Sequence, residues 1–224
     1  MPDWSKLDLS RCPAATIYPK VSTSPDLLEI PLAAEEDPML PVIYSMSVSL
    51  DGFIAGPGGD IGWTAPDAER MRFHIEQTRD VAAHLCGRAL YQTMLVWETA
   101  EQTMSDEAEL EFGRIWRPIP KVVFSRTLNS VEGNARLATD DIATEVGRLR
   151  DQPGDGVVSI GGAGLAAAAI AEDLIDEYRQ FVNPVILGAG TPYFTPLAKP
   201  LDLRLTGSRT FSSGVLYLRY QRTR

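Results

Sequence analysis

At three places an apolar run gives way to a turn whose residues suit an anion, through glycines in two of them and through an arginine in two of them. The clearest is VVSIGGAGLAAAAIAEDL, in which a buried strand ends at residues 161–164 and a helix of small residues follows. Backbone N–H groups and the positive end of the helix dipole face the space above such a turn, and both favour a phosphate. A close-packed turn without a ligand has the same pattern; G-x-G-x-x-G is absent, and no Walker lysine follows.

Two further strand-to-helix turns carry residues that suit an anion. LCGRALYQTM ends a strand at Gly87, where the backbone can turn sharply, and begins a helix at Arg88. KVVFSRTL ends a strand in Ser125, Arg126 and Thr127, which places two hydroxyls and a fixed positive charge at a strand end. Taken alone, an arginine flanked by hydroxyls at a strand end is more typical of a solvated loop. The three together predict a ligand with several phosphates.

A glycine-rich loop follows the first apolar strand. In SMSVSLDGFIAGPGGDIGW the strand breaks at Asp51, and Trp63 closes the run. Loops of this kind serve as lids that exclude water from a bound pair of reactants, and an ordinary long turn with a core tryptophan is the alternative. Asp67 and Glu69 then lie in the first turn of the next helix.

The elements around these motifs alternate between strand and helix. Apolar and periodic runs predict strands over 42–50, around 84–86, in KVVF and over 156–162, and helices over 66–83, from about 89, over 140–152 and over 165–175. An acid-rich loop is predicted up to Glu109, with LEFGRIW leading to the next strand. LDLRLTGSRTFSSGVLYLRYQR has the alternation of a hairpin. The order predicts an α/β domain with a mostly parallel central sheet and antiparallel C-terminal strands.

Composition excludes several classes of protein. A chain of 224 residues with 44% hydrophobic content is expected to form one main domain, here residues 42–224. A net charge of −9 argues against a nucleic-acid partner. Without a long apolar run or a signal-peptide layout, the chain is expected to be cytoplasmic, with no membrane partner. No metal-type spacing of cysteine and histidine is present, so no metal is expected.

Residues 1–41 differ from the rest of the chain. They are punctuated by proline and lack a sustained helical or strand period. We expect an ordered N-terminal arm without its own core, which docks on its own domain or on a partner subunit.

The motifs in their order resemble a known family. SLDGFIA, CGRALY, PKVVFSRTL, SIGGAGLAAAAI and LIDEYRQFVNPVILGAGTPYF are similar to the dihydrofolate-reductase-like superfamily, in the branch of the riboflavin biosynthesis reductase C-terminal domain. The resemblance covers roughly residues 42–222. It implies a three-layer α/β/α fold that binds NADPH across the carboxyl ends of the strands. Because the cytidine-deaminase signature is absent, the chain resembles a stand-alone reductase.

The resemblance also implies roles for individual residues. The cofactor-binding set comprises Gly87, Arg88, Ser125, Arg126, Thr127, Gly161, Gly162, Ala163, Gly164 and Leu165, with residues 125–127 at the adenosine 2′-phosphate and a cis peptide expected between Gly161 and Gly162. The family usually shows a version such as GRRTYE where this chain has GRALYQ, and the loss of the hydroxyl implies that phosphate contacts are missing. Trp63 resembles the tryptophan of the substrate loop, and Asp67 or Glu69 the carboxylate that anchors substrate. Asp51 and Asp67 are the candidates for assisting proton transfer.

The resulting hypothesis is an NADPH-dependent reductase that transfers a hydride to a C=N or C=O of a small pteridine-like or ribosylamino-pyrimidine substrate. Two alternatives stay open: a non-catalytic nucleotide-binding protein on the same scaffold, and an oxidoreductase that uses a flavin or deazaflavin. Relatives commonly form homodimers, and a homodimer is expected here.

Overall fold

A computed structural model describes residues 39–224, so the predicted arm lies outside the described residues except for its last three positions. The described chain contains ten strands: β1 Val42–Ser49, β2 Phe53–Ala55, β3 Val81–Gly87, β4 Lys121–Phe124, β5 Ala135–Leu137, β6 Val157–Gly161, β7 Glu177–Asn183, β8 Thr191–Pro192, β9 Leu203–Thr210 and β10 Leu216–Arg222. Its α-helices are α1 Ala68–Arg79, α2 Arg88–Met94, α3 Ala100–Thr103, α4 Glu107–Trp116, α5 Ile142–Arg150 and α6 Ala163–Ala171.

Eight strands form one twisted sheet in the order β5-β4-β3-β6-β1-β7-β10-β9. The first six strands in this order, from β5 at the edge to β7, run parallel to one another. Strand β10 pairs antiparallel with both β7 and β9. The predicted mostly parallel sheet with antiparallel C-terminal strands is confirmed. A separate two-stranded ladder joins β2, in the glycine-rich loop, to β8.

Helices cover both faces of the sheet, which gives three layers. On one face α5 and α6 pack on apolar strand residues, and the shared core includes Tyr44, Leu85, Val146, Ile160 and Ala166. On the other face, α1 packs through Phe73 against β7 and β10. Helix α4 covers α1 in turn, through Met71, Ile75, Phe112 and Trp116. The predicted three-layer α/β/α architecture is confirmed.

Two predicted elements differ from the observed ones. The helix predicted over 66–83 is α1, which ends at Arg79, and the chain resumes as β3 at Val81. Val81 and the two alanines after it fit either a helix or a strand, and pairing with β6 selects the strand.

The predicted acid-rich loop contains α3 and the first turn of α4. Asp106 caps α4, because its Oδ1 accepts from the N–H groups of Ala108 and Glu109 at 2.9 and 3.2 Å. Glu107 and Glu109 lie in the first turn, where the helix dipole favours acids. LEFGRIW is therefore helical. The short strands β2, β5 and β8 were not predicted.

Candidate functional site

Strands β3 and β6 are neighbours in the sheet, and each runs directly into a helix at the same edge. Gly87 caps α2 and Gly162 caps α6, and neither cap has a side chain to satisfy the first helical N–H groups. Gly162 has φ 96°, a conformation that favours glycine. The two helix starts thus offer free N–H donors side by side, an arrangement that suits an anion.

The peptide bond between Gly161 and Gly162 is trans, as are all peptide bonds of the described residues. The expected cis peptide is therefore wrong for this chain. The positive φ of Gly162 turns the chain into α6 without it.

A first cavity of about 370 Å³ lies over these helix starts. Six of the predicted cofactor residues line it: Gly87, Arg88, Gly162, Ala163, Gly164 and Leu165. The glycine-rich loop and β8 close the opposite side with Ile54, Ala55, Gly59, Ile61 and Thr191. A Cβ built on Gly164 would meet no atom within 4 Å, so this part of the turn is open.

The predicted trio Ser125, Arg126 and Thr127 follows β4, the strand next to β3. It lies at the same sheet edge but does not line the first cavity. Ser125 Oγ accepts from the N–H groups of Thr127 and Leu128 at 3.2 and 3.0 Å, which folds the segment into a tight turn. Arg126 and Thr127 are exposed.

Most cations of residues 39–224 form ion pairs with carboxylates. The ones that have no carboxylate partner within that range are Arg72, Arg88, Arg126, Lys199 and Arg204. Two of the five, Arg88 and Arg126, belong to the predicted cofactor set. Their charges are available to an anionic ligand.

A second cavity of about 350 Å³ adjoins the first and lies between the sheet and the layer of α1 and α4. The two cavities share four lining residues: Met46, Ile54, Ile61 and Leu90. Gly161 lines the second cavity and lies against Leu90, whose Cδ2 a Cβ at position 161 would overlap. Large apolar side chains form much of the remaining wall: Met71, Met94, Trp97, Phe112, Trp116 and Phe181.

Polar groups line the sheet side of the second cavity. Ser45 and Ser47 of β1 and Ser159 of β6 contribute hydroxyls that have no hydrogen-bond partner among the described residues. Helix α1 adds His74, Gln77 and Thr78, and the strands add His84 and Arg179. None of these residues was predicted. The signal that could have indicated them is serine at every second position of a central strand, where apolar residues are expected on a buried face.

Both histidines of the chain line this cavity and are neutral at physiological pH. Burial, and to a smaller extent the charge of Arg70, lower the pKa of His74 to about 4. Burial and the nearby Lys121 lower the pKa of His84 to about 3. The ring of His84 lies 4.4 Å from that of Trp116, and its Nε2 has no partner in the described part of the chain.

Asp51, predicted as catalytic, lies outside the lining of both cavities. Its carboxylate accepts from Ser49 Oγ at 2.7 Å and from the N–H groups of Leu187 and Gly188. The Ser49 hydroxyl and these amides hold its pKa below the ordinary value. Asp51 ties the end of β1 to the loop after β7.

Asp67 and Glu69 also lie outside the lining. Asp67 caps α1 through the Arg70 N–H at 2.8 Å; burial acts to raise its pKa, but bonds from Arg70 and Ser213 outweigh that effect and lower it. Glu69 accepts from Arg209 and from Ser212, whose backbone and hydroxyl bonds chiefly lower its pKa. Both carboxylates hold the start of α1 in place.

Trp63 is half-buried and lies in a 3₁₀ turn before α1. Its Nε1 donates to the carbonyl oxygen of Asp60 at 3.2 Å, and it does not line either cavity. Its neighbours Ile61 and Thr64 reach the second cavity instead.

The family model of the RibD C-terminal domain matches residues 41–217. The chain belongs to this family. A family relative, the uncharacterized protein YyaP of Bacillus subtilis (strain 168), is 33% identical over 180 residues, which cover 80% of this chain and 93% of YyaP.

Solved structures of the same fold agree with the family. A protein of Shewanella sp. PV-4 named for riboflavin biosynthesis has a TM-score of 0.66 at 23% identity, over 83% of this chain and all of that chain. Dihydrofolate reductase from Enterococcus faecalis, complexed with NADP(H), has a TM-score of 0.54 at 13% identity, over 82% of this chain and 97% of that chain. The fold is dihydrofolate-reductase-like. Family and neighbours are reductase-like proteins, which supports an oxidoreductase.

Two absences complete the description of residues 39–224. No helix in that range is both long and apolar enough to span a bilayer. No group of three or more histidine, cysteine or acidic side chains in the same range could hold a metal ion.

Proposed function

We propose that the protein is an NADPH-dependent reductase that transfers a hydride to a C=N or C=O of a small pteridine-like or ribosylamino-pyrimidine substrate. The observation that carries the proposal is a pair of adjoining cavities, the first at the carboxyl edge of the sheet and the second between the sheet and the layer of α1 and α4. A cofactor along the first cavity and a substrate in the second would meet at the shared wall formed by Met46, Ile54, Ile61 and Leu90.

The residues of the first cavity fit the phosphates of a nicotinamide dinucleotide. The pyrophosphate would bind the N–H groups at residues 162–165, where the turn is open at Gly164. Arg88 would pair with the same group. Arg126, on the turn held by Ser125 Oγ, would bind the adenosine 2′-phosphate together with Thr127, which favours NADPH over NADH. When bound, the nicotinamide supplies the hydride.

The protein's own residues would position the reactants, exclude water and supply a proton. The loop over residues 51–63 covers the first cavity and would exclude water from the reacting pair. Asp51 and Asp67 are the proposed acids, but neither lines the second cavity, so a proton from either must travel through water. The hydroxyls of Ser45, Ser47 and Ser159 are available to hold that water.

The proposal is tested with Gly164→Asp and its neutral control Gly164→Ala. Both side chains have room, and an acid in the first turn of α6 does not weaken the helix. A carboxylate there repels a pyrophosphate. We expect Gly164→Asp to lose NADPH binding at least about tenfold while Gly164→Ala retains it. Binding is measured by calorimetry, and turnover by loss of reduced-nicotinamide absorbance with pteridine and pyrimidine carbonyl compounds.

The outcomes separate the alternatives. Wild-type protein that does not bind NADPH contradicts the proposal. NADPH binding without turnover on any acceptor favours the non-catalytic nucleotide-binding protein. The motives for that alternative are the departures from the family pattern at Ala89 and Leu90, of which Leu90 lines both cavities, and the unusual N-terminal arm. A purified protein that carries a yellow flavin or deazaflavin favours the third alternative.

A further inference from the structure

Arg179 is a charged side chain built into the wall of the second cavity. It lies in the middle of β7, is 8% exposed and lines the cavity beside Ser45 of β1, its register partner. A buried guanidinium needs partners on most of its N–H groups. Its Nε donates to Glu177 Oε1 at 2.5 Å and its Nη1 donates to Gln77 Oε1 at 2.6 Å. No described residue accepts from Nη2.

Gln77 is held in the same network. Its Oε1 accepts from Arg179 and, at 3.4 Å, from the Tyr217 hydroxyl. With the oxygen occupied by donors, the amide nitrogen of Gln77 is the atom left for a ligand, and no described residue accepts from it. Arg179 and Gln77 therefore present N–H donors to the same cavity from β7 and α1.

The lining of this cavity contains no carboxylate among residues 39–224. The acids at the start of α1, Asp67 and Glu69, are bound by Arg70, Arg209 and Ser212 outside it. The titratable residue of α1 that lines the cavity is His74, which is neutral. The lining therefore offers no carboxylate to a cationic amidine edge. Arg179 is ion-paired with Glu177 through Nε, and its Nη2 is the donor left for an anionic oxygen.

We propose that the second cavity binds a planar ring compound that carries an anionic oxygen, a carboxylate or an enolate, and that Arg179 and Gln77 bind this oxygen. The proposal names the substrate class of the site and so rests on the proposed reductase function. A volume of about 350 Å³ suits one or two fused rings, and the tryptophan and phenylalanine walls suit a flat ring. Arg179 is then a specificity-determining residue.

The test compares quinoxaline-2-carboxylate with its isosteric, uncharged carboxamide. Binding is followed in the absence of NADPH by the fluorescence of Trp97 and Trp116, which line the cavity. We expect the carboxylate to bind at least about tenfold more tightly than the carboxamide. Arg179→Met should remove this preference and Arg179→Lys should restore part of it. Arg204→Met, which removes an exposed charge on β9, is the matched control and should change nothing.

Equal affinity for the two compounds, or no binding of either, overturns the inference. So does an unchanged preference in Arg179→Met, provided that its melting temperature and NADPH affinity match those of the wild type. If Arg179→Met does not fold, the wild-type comparison decides alone. NADPH binding is measured separately. If the protein prefers the carboxylate but does not bind NADPH, only the reductase proposal is contradicted. If it turns over NADPH but does not prefer the carboxylate, only this inference is contradicted.

Discussion

The two faces of the central sheet are made from alternating residues of the same strands, yet they differ in chemistry. Toward α5 and α6, β3 and β6 present Leu85 and Ile160, which are fully buried in an apolar core. Toward α1 and α4, the preceding residues His84 and Ser159 line a cavity. Because successive side chains of a strand point to opposite faces of the sheet, one strand can contribute to an apolar core on one face and to a cavity wall on the other. At these strands one face is a filled apolar core, and the other leaves a cavity with polar groups in its wall.

On the apolar face, Leu85→Ala should cause the largest loss of stability. The substitution removes a side chain with no exposed surface, and we expect a loss of about 2–5 kcal/mol in the free energy of unfolding. His84→Gln, one residue away, should cost less, because it alters a cavity wall and not a filled core. Denaturant unfolding of both variants gives the comparison, and equal losses would contradict it.

Low pH should lower the stability of the folded protein through the two histidines of the polar face. Both histidines have a folded pKa far below 6.5, so the unfolded chain binds more protons than the folded chain below that pH. Their contribution is complete above pH 6.5 and is lost as the pH falls toward about 4. The free energy of unfolding should drop by at most about 1.4 kcal/mol per pH unit for each imidazole.

The variant His74→Gln/His84→Gln contains no histidine and supplies the control. Its stability should stay nearly level between pH 6.5 and about 5, above the range in which most carboxylates titrate. Thermal unfolding across this window measures the difference. A wild-type slope that persists in the double variant would assign the loss to other groups.

Arg126→Ala should have the smallest effect, confined to the cofactor edge. Removing an exposed guanidinium leaves folding unchanged, while NADPH affinity should fall roughly tenfold and NADH affinity should stay the same. Arg72→Ala removes another exposed arginine without a carboxylate partner and should alter neither affinity. Calorimetric titration with both nucleotides distinguishes these results. A parallel loss for NADH would place Arg126 away from the 2′-phosphate.

The sequence predicted the parts of the molecule that follow local rules. The turn after β6 was predicted because glycine and small residues at a strand-to-helix junction permit few structures, and the parallel sheet because strands and helices alternate. Helix α4 was missed because its capping Asp106 and its first-turn acids have the composition of a loop. Strand β5 is three residues long and has little pattern of its own.

The polar cavity was harder to predict because it depends on residues far apart in the chain. His74, His84 and Arg179 come together only when α1, β3 and β7 are placed, and none has a motif of its own. The hydrogen bonds of Glu69 to Arg209 and Ser212 likewise depend on the position of the C-terminal hairpin, which the sequence around α1 does not indicate.

The contact between Gly161 and Leu90 has a consequence for how the chain can diverge. A methyl group at position 161 would overlap Leu90 Cδ2, so it requires the Leu90 side chain to shift or a smaller residue to stand at position 90. Leu90 is also part of the wall that the two cavities share, so either change would alter the boundary between them.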